Sequence, residues 1–207
     1  GARPNATHYA LAELERTGKV DLLITQNVDR LHQKAGSQRV VDLHGRLDQV
    51  ICLNCGEQES RKSFQMRLTR ANPFVTDYQH IARPDGDSDV PDSYVEKTTI
   101  PQCRHCGGVF MPDVVFFGGT VPRSRVEACT ESLFSAGGLL VVGTSLQVYS
   151  GFRFCRIAEK LRIPIIIVNE GETRADDMAT LKIERSAMSR LVAAVDQISP
   201  SQESKFA

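Results

Sequence analysis

The sequence lacks the features that would identify a membrane protein or a general nucleic-acid binder. Its 25 basic and 25 acidic residues balance, so there is no net charge to attract nucleic acid or an anionic membrane surface. No apolar run approaches the roughly 20 residues that a membrane-spanning helix needs. With 41% hydrophobic residues over 207 positions, the chain is long enough for one full core and a small satellite.

Two further features are missing. The sequence begins at Gly1 without a methionine and enters a helical pattern almost at once, so we expect a processed or partial form in which no targeting segment remains. No G-x-G-x-x-G follows any apolar strand, so the usual phosphate-binding loop of dinucleotide sites is not found in these residues.

Apolar strands alternate with helical patterns over most of the chain. Continuous Val/Ile/Leu strands separated by helices indicate a parallel sheet covered on both faces, so the predicted fold class is α/β, with a Rossmann-like sheet. Predicted strands cover 21–25, 40–43, 114–119, 138–145 and 163–171, and predicted helices cover 5–17, 29–34, 123–135, 151–161 and 188–195.

A small module interrupts this alternation. The pattern predicts an α/β domain from residues 1–46 and 120–198, an inserted module at 47–119 and a disordered tail at 199–207. Within the module, residues 48–58 predict a short β-ribbon, while residues 57–100 are too weakly periodic to assign.

Four of the six cysteines form two Cys-x-x-Cys pairs, Cys52 with Cys55 and Cys103 with Cys106. Each pair can place two sulfurs on one ion, and four thiolates close the tetrahedral shell of Zn²⁺. A closed shell leaves no position for water, so the predicted zinc is structural rather than catalytic.

The four paired cysteines also have interpretations other than a zinc site. Two disulfides or free thiols remain open alternatives. A zinc ribbon that binds nucleic acid is disfavoured, because basic and aromatic residues do not cluster around the pairs. The remaining cysteines, Cys129 and Cys155, lie in helical patterns and are predicted to be small core residues.

Four segments change from apolar to polar where a predicted strand ends, at 25–29, 42–45, 142–145 and 168–171. In an open parallel sheet, ligands bind outside the carboxyl ends of the strands, so four such ends favour one extended ligand such as a nucleotide. Taken singly, each end has a plainer explanation, because these side chains could cap helices or form turns.

His44 is the candidate catalytic residue. It follows a predicted buried strand, precedes Gly45 and lies at the expected ligand edge. An imidazole with a pKa near ~6.5 is mostly neutral at physiological pH and can accept a proton, so a general base is the favoured role. The other histidines are predicted to be surface or packing residues: His8, His32, His80 and His105.

These motifs together resemble the sirtuin family of NAD-dependent protein deacylases, and most closely its class II, the mitochondrial sirtuin-four type. The resemblance implies one sirtuin-type domain, with NAD as co-substrate, one structural Zn²⁺ and a place in the mitochondrial matrix. The matching segments are PNATHYAL (4–11), ITQNVDRLHQKAG (24–36), DLHG (42–45), the two cysteine pairs, PDVVFFGG (112–119), VVGTSLQVYS (141–150) and IVNEG (167–171).

The resemblance also implies a role for each matching residue. His44 would be the catalytic base, assisted by Asn27, in a reaction that moves the acyl group of an acylated lysine onto ADP-ribose and releases nicotinamide. The cofactor-binding residues would be Gln26, Asn27, Val28, Asp29, Gly143, Thr144, Ser145, Asn169, Glu170, Gly171 and Ala187. The acyl-lysine tunnel would be lined by Val115, Phe117, Gly118 and Val148.

The sequence departs from the family in two places. The family's N-terminal Gly-Ala-Gly-Ile-Ser segment and the cofactor loop after it have no counterpart here, so we expect these residues by themselves to bind NAD weakly and to be inactive or nearly so. Gly119 stands where an acidic residue is usual. The partners implied are acylated-lysine proteins, with no nucleic acid or membrane. The alternatives are a protein ADP-ribosyltransferase and a non-catalytic protein that binds NAD or other proteins.

Overall fold

The computed structural model describes residues 2–74, 91–184, 192–195 and 197. Across these ranges, every helix is too short or too polar to cross a membrane. Ala187, His80 and the predicted tail at 199–207 lie outside the described residues. So does most of the predicted helix at 188–195, although residues 192–195 are helical.

The chain divides into two compact units. The first consists of the described residues of Gly1–Gly45 and Val115–Ala207, and the second of those of Arg46–Val114. In chain order the elements are α1 (Ala6–Arg16), β1 (Leu23–Thr25), α2 (Leu31–Lys34), β2 (Val40–Asp42), β3 (Gly45–Cys52), β4 (Gln58–Ser60), α3 (Arg61–Ala71), α4 (Asp92–Val95), β5 (Phe110–Val114), α5 (Arg123–Ser135), β6 (Leu139–Val142), α6 (Tyr149–Leu161), β7 (Ile165–Val168) and β8 (Leu181–Ile183).

The first unit contains the predicted parallel strands. β1 pairs in parallel with β2, and β6, β7 and β8 form a second parallel set in that order. The α/β class is therefore confirmed. Because strands that run parallel end at the same edge, the carboxyl ends of β1 and β2 lie side by side, as do those of β6 and β7.

Helix α1 shows how local sequence sets the boundaries of an element. Asn5 caps its start, accepting a hydrogen bond from the His8 N–H at 3.2 Å, while the His8 ring accepts one from the Asn5 N–H at 3.3 Å. Gly18, with φ of 71°, follows its end and provides the left-handed conformation that stops a helix.

The core of the first unit lies between its strands and helices α5 and α6. Cys129 and Cys155 are 0% and 1% exposed and belong to this core, which confirms their predicted role as packing residues. The other buried members include Leu43, Leu133, Val141, Leu146, Phe152, Phe154, Ala158, Ile165 and Ile167.

The second unit is a small antiparallel sheet, in the order β4-β3-β5, with helix α3. The predicted β-ribbon is confirmed as the β3–β4 hairpin. Phe64 of α3 packs on Phe110 of β5, with ring centroids 5.4 Å apart. The Arg67 guanidinium lies over both rings and forms an ion pair with Glu59 at 2.5 Å.

The prediction of a strand at 114–119 is wrong. The strand at this place, β5, ends at Val114 and belongs to the antiparallel sheet, whereas Val115–Gly119 form a turn in which the Gly119 N–H donates to the Phe116 carbonyl. An apolar run predicts a buried strand, but the aromatic side chains of this run are exposed, 57% for Phe116 and 103% for Phe117. The second unit correspondingly ends at Val114 rather than at 119.

Candidate functional site

The two cysteine pairs sit on two backbone turns of the same form. In the first, the Cys52 N–H donates to the Glu57 carbonyl and the Gly56 N–H donates to the Cys52 carbonyl. In the second, the Cys103 N–H donates to the Gly108 carbonyl and the Gly107 N–H to the Cys103 carbonyl. The glycine after each pair has a positive φ, 75° and 73°, which explains the Cys-x-x-Cys-Gly pattern.

The four sulfurs lie close enough together to hold one ion. Their Sγ atoms are all within 4.8 Å of one another, with Cys52 3.6 Å from Cys106 and Cys55 3.8 Å from Cys103. A regular tetrahedron with Zn–S bonds of about 2.3 Å has edges of about 3.8 Å, so the donor set fits Zn²⁺. No disulfide joins these cysteines, which are free thiols at separations far above an S–S bond length.

Cys106 is surrounded by groups that favour its thiolate form. A hydrogen bond from the Asn54 side chain, together with one from the Gly108 N–H at 3.4 Å, lowers the pKa of Cys106 to about 6. Gly108 has no room for a larger side chain, because a Cβ there would lie 2.7 Å from the Asn54 Cβ and 2.8 Å from the Cys52 Sγ. The lowered pKa favours the thiolate form of Cys106, which is the form that binds a metal.

In the first unit, the four segments that change from apolar to polar follow the carboxyl ends of β1, β2, β6 and β7, which belong to two separate parallel sets. The Leu43 N–H donates to the Thr25 carbonyl, which places His44 beside Gln26. The Gly143 N–H donates to the Val168 carbonyl, which places Gly143 beside the segment that follows β7.

A chain of hydrogen bonds connects these strand ends. The Gln26 Nε2 donates to the Thr144 Oγ1 at 3.1 Å, and the His44 Nδ1 lies 3.2 Å from the Gln26 carbonyl oxygen. The His44 Nε2 lies 2.7 Å from the Oγ of Ser150, near the start of α6. Three segments far apart in sequence therefore meet at one polar cluster.

The Gln26 carbonyl determines which nitrogen of His44 can act as a base. A carbonyl oxygen only accepts hydrogen bonds, so Nδ1 carries the hydrogen and Nε2 carries the lone pair in the neutral ring. Burial lowers the pKa of His44 below 6.5, partly offset by the Gln26 carbonyl, which raises it. His44 is therefore neutral at physiological pH, as a general base must be.

The loop after β1 is held in place from both ends. The Asp29 carboxylate accepts a hydrogen bond from the Leu31 N–H at 2.9 Å, an Asx turn that leads into helix α2, whose N-cap is Arg30. Arg30, in a left-handed conformation with φ of 64°, forms an ion pair with Asp42, to which Gln33 also donates at 3.1 Å. Asn27, by contrast, is exposed.

The ends of β6 and β7 also match the predicted ligand edge. Gly143 has φ of 60° and nothing within 4 Å of where a Cβ would be, which leaves its backbone open to a ligand. Ser145 is exposed, whereas Asn169 is buried and its amide donates to the carbonyls of Glu170 and Gly171. Asn169 thus holds the turn that ends at Gly171.

A cleft of about 1010 Å³ lies between β1 and β6. Within the described part of the chain, β1 pairs only with β2 and β6 only with β7, so both strands present an unpaired edge. Residues 22–27 line one side of the cleft and residues 138–144 the other. Its polar end contains Gln26 and Thr144, and its volume suits a small-molecule ligand.

The predicted acyl-tunnel residues lie on exposed or half-buried segments. Phe117 is fully exposed, Val148 is 48% exposed, and Gly118 has φ of 81° in the turn after Val115. The Val115 N–H donates to the His44 carbonyl at 2.8 Å, which ties this segment to the candidate base. Apolar side chains exposed beside a polar cluster are typical of a binding surface.

Sequence reasoning missed Ser150, which contacts the candidate base, and Gly151, which packs against Gln26. A Cβ on Gly151 would lie 3.0 Å from the Cδ and Nε2 of Gln26. The available signals were that Ser150 ends the matching segment 141–150 and that Gly151 begins the predicted helix 151–161.

His8 and His32 pack as predicted, but on each other. Their ring centroids lie 4.6 Å apart, and burial, followed by the nearby His8, lowers the pKa of His32. This pair joins α1 to α2 and lies apart from the hydrogen bonds of His44.

Comparison with known sequences gives a consistent result. The profile described as the Sir2 family matches residues 1–150. An "NAD-dependent protein deacetylase" of Xanthomonas campestris pv. campestris (strain 8004) is 53% identical over 190 residues, which are 92% of this chain and 65% of the relative. The Drosophila melanogaster "NAD-dependent protein deacylase Sirt4" is 48% identical over 181 residues, 87% of this chain and 58% of the relative. The chain thus spans less than two thirds of either relative's length.

Solved structures show the same similarity in three dimensions. A structure described as "Sir2-p53 peptide-NAD+" matches with a TM-score of 0.75 and 29% identity, over 97% of this chain and 72% of that one. Another, "Sir2 bound to acetylated peptide", matches with a TM-score of 0.76 and 28% identity, over 97% and 73%.

Proposed function

The chain belongs to the Sir2 family, and from this premise we propose that the protein is an NAD-dependent protein-lysine deacylase that transfers the acyl group to ADP-ribose and releases nicotinamide. The relatives named as a deacetylase and a deacylase support this activity. Neighbours solved with NAD+ and with acetylated peptide support the two substrates.

The observation that carries the proposal is the state of His44. Its Nδ1–H is held by the Gln26 carbonyl, its Nε2 has the lone pair, and burial keeps the ring neutral. A general base must be unprotonated, and the fixed tautomer presents the lone pair of the neutral ring at Nε2. In the proposed reaction, His44 Nε2 takes a proton from a hydroxyl of the NAD ribose.

Residues along the strand ends would hold NAD, which when bound supplies the ribose that accepts the acyl group. Gln26, Asn27, Val28 and Asp29 are proposed to contact the nicotinamide end, with Asn27 assisting the reaction. The residues proposed for the rest of the cofactor are Gly143, Thr144, Ser145, Asn169, Glu170 and Gly171, and also Ala187, which lies outside the described residues. The open backbone of Gly143 and the polar end of the cleft support this assignment.

Replacing Gly151 with alanine tests the part played by Gln26. In an ordinary helix this change stabilises a protein by about 0.5–1 kcal/mol. Here the new Cβ would meet the flexible end of the Gln26 side chain at 3.0 Å and displace it from Thr144. We therefore expect G151A to keep or raise the melting temperature while weakening NAD binding several-fold, or about 1 kcal/mol for the lost contact.

Calorimetric titration with NAD, beside a thermal melt, measures both effects. Gly137→Ala is the matched control, because a Cβ there has nothing within 4 Å. Unchanged NAD affinity in G151A would show that the position of Gln26 does not matter for cofactor binding.

The substrate would be an acylated lysine on a protein. Val115, Phe117, Gly118 and Val148 are proposed to contact the acyl-lysine side chain, which the exposure of Phe117 and Val148 supports. Removal of longer acyl groups, such as lipoyl, and residence in the mitochondrial matrix are proposed from the class II resemblance of the sequence alone. Cell fractionation tests the compartment. The bacterial relatives, which are similar to this chain to a comparable degree, do not indicate a mitochondrial location.

The four cysteines would hold one structural Zn²⁺. All four sulfurs are used, which leaves no position for a reacting water, so the ion would support the fold of the second unit and take no chemical part.

The assay that tests the proposed function follows nicotinamide and lysine together. Purified protein is incubated with NAD and a panel of acyl-lysine peptides. We expect nicotinamide and unmodified peptide to form in equal amounts, and only when both substrates are present. A protein ADP-ribosyltransferase would instead release nicotinamide while adding mass to a protein acceptor, and a non-catalytic binder would release none.

A further inference from the structure

The second hydrogen bond of His44 reaches a residue to which the sequence analysis assigned no role. Ser150 is the second residue of α6, 106 positions away from His44, and its Oγ lies 2.7 Å from the His44 Nε2. Ser150 is 9% exposed, so the contact is shielded from bulk water.

The direction of this hydrogen bond follows from the opposite side of the ring. Because the Gln26 carbonyl can only accept, Nδ1 carries the hydrogen, and Nε2 of the neutral ring can only accept. The Ser150 hydroxyl must therefore donate to Nε2. When Nε2 gains a proton, the same hydroxyl can rotate and accept, because a hydroxyl serves in both directions.

We propose that Ser150 is a positioning residue for His44, which fixes the ring plane and occupies the base nitrogen until a substrate hydroxyl takes its place. With both nitrogens bonded, the ring has one orientation. If the ring turned over, Nε2 would leave its position and the bond to Gln26 would break as well. This role rests on the proposed function only where it concerns turnover.

The start of α6 is itself well placed to hold this position. Gly151, next in sequence, lies against the Gln26 side chain, which donates to Thr144 at 3.1 Å. The same helical turn thus contacts Gln26 through Gly151 and His44 through Ser150. Substrate binding exchanges one hydroxyl for another at Nε2, so displacing Ser150 costs little, whereas a misplaced ring slows the reaction.

Ser150 also affects the pKa of His44. Among the described residues, the ring's two hydrogen-bond partners are neutral, the Gln26 carbonyl and the Ser150 hydroxyl, and the causes of its lowered pKa include no charged side chain. Removing the hydroxyl deprives the protonated ring of a stronger hydrogen bond than the neutral ring loses. The pKa of His44 should therefore fall further in S150A.

Nitrogen NMR of the His44 imidazole in the substrate-free protein tests the proposal without any assay of activity. In the wild type we expect one neutral tautomer, with hydrogen on Nδ1 and a hydrogen-bonded Nε2. In S150A the Nε2 signal should move toward that of an unbonded ring nitrogen, with the lower pKa given above. Ser150→Thr, which keeps the hydroxyl, should restore both, and Ser135→Ala, at the exposed end of α5, should change neither.

Turnover provides a second, separable readout. With NAD and an acyl-lysine peptide, S150A should lose about tenfold in kcat with less than a twofold change in KM, and S150T should recover it. The proposal is overturned if the imidazole signals and pKa in S150A equal those of the wild type, or if S150T behaves like S150A. If the NMR changes occur but the wild type shows no deacylation, the proposed function fails and the positioning role stands.

Discussion

His44→Ala is expected to reduce NAD-dependent deacylation by about 10²–10⁴-fold, the usual contribution of a general base. The variant loses the His44 ring, which has one nitrogen hydrogen-bonded to the Gln26 carbonyl and the other to the buried Ser150 hydroxyl. Because the base acts in the reaction rather than in the fold, the loss should appear in kcat, measured with saturating NAD and peptide. Melting temperature and zinc content should stay close to those of the wild type.

The pH dependence of the reaction provides a second test of His44 as the general base, because the direction of its pKa shift is known. Burial lowers the pKa of His44 below 6.5, so the neutral form persists as the pH falls through 6.5. The acid limb of kcat/KM should therefore lie below pH 6.5, and activity should be lost only as the pH falls through the lowered pKa. An acid limb clearly above pH 6.5, or an H44A variant with near wild-type kcat, would assign the base to another residue.

Removal of zinc is expected to unfold the second unit, Arg46–Val114. Among the described residues of this unit, the buried apolar cluster consists of Val50, Cys52, Phe64, Cys103 and Phe110, so two of these five are proposed metal ligands. Without the ion, three apolar side chains of this cluster remain, too few for a stable core. Structural zinc in small domains contributes about 10–16 kcal/mol of apparent binding free energy, so removal of the ion should unfold the unit.

Hydrogen exchange read by mass spectrometry can measure this loss separately for each unit, which suits a chain without tryptophan. Chelation, or Cys103→Ser, should remove the protection of peptides from 46–114. Gly108→Ala should weaken zinc binding, since its Cβ would approach the Cys52 Sγ to 2.8 Å, while Gly137→Ala serves as control. Purified protein that contains no zinc yet keeps this protection would refute the metal assignment.

Sequence patterns predicted the elements whose burial follows a simple period. Helix α5 has the predicted bounds, Arg123–Ser135, and the strands β1, β2, β6 and β7 lie within their predicted ranges. Helix α3 was not predicted, because seven of its eleven residues are polar or charged and its one buried residue, Phe64, makes no period. β8, Leu181–Ile183, was not predicted, because Lys182 interrupts its apolar residues and none of the three is buried.

The site was predictable to the extent that topology determines it. Parallel strands end at one edge, so Gln26, His44 and Thr144 could be expected to lie near each other, and the structure joins them by hydrogen bonds. The partner of the His44 Nε2 was not predictable. Ser150 reaches it from a helix start 106 residues away, and no local pattern distinguishes such a serine from an ordinary one.

The fate of the acyl group tests the central claim most directly. After incubation of the protein with NAD and an acyl-lysine peptide, mass spectrometry of the small molecules identifies where the acyl group has gone. The account predicts O-acyl-ADP-ribose in amounts equal to the nicotinamide released, and almost none with H44A. Free carboxylic acid formed without consumption of NAD, or ADP-ribose attached to protein with the acyl-lysine intact, would contradict it.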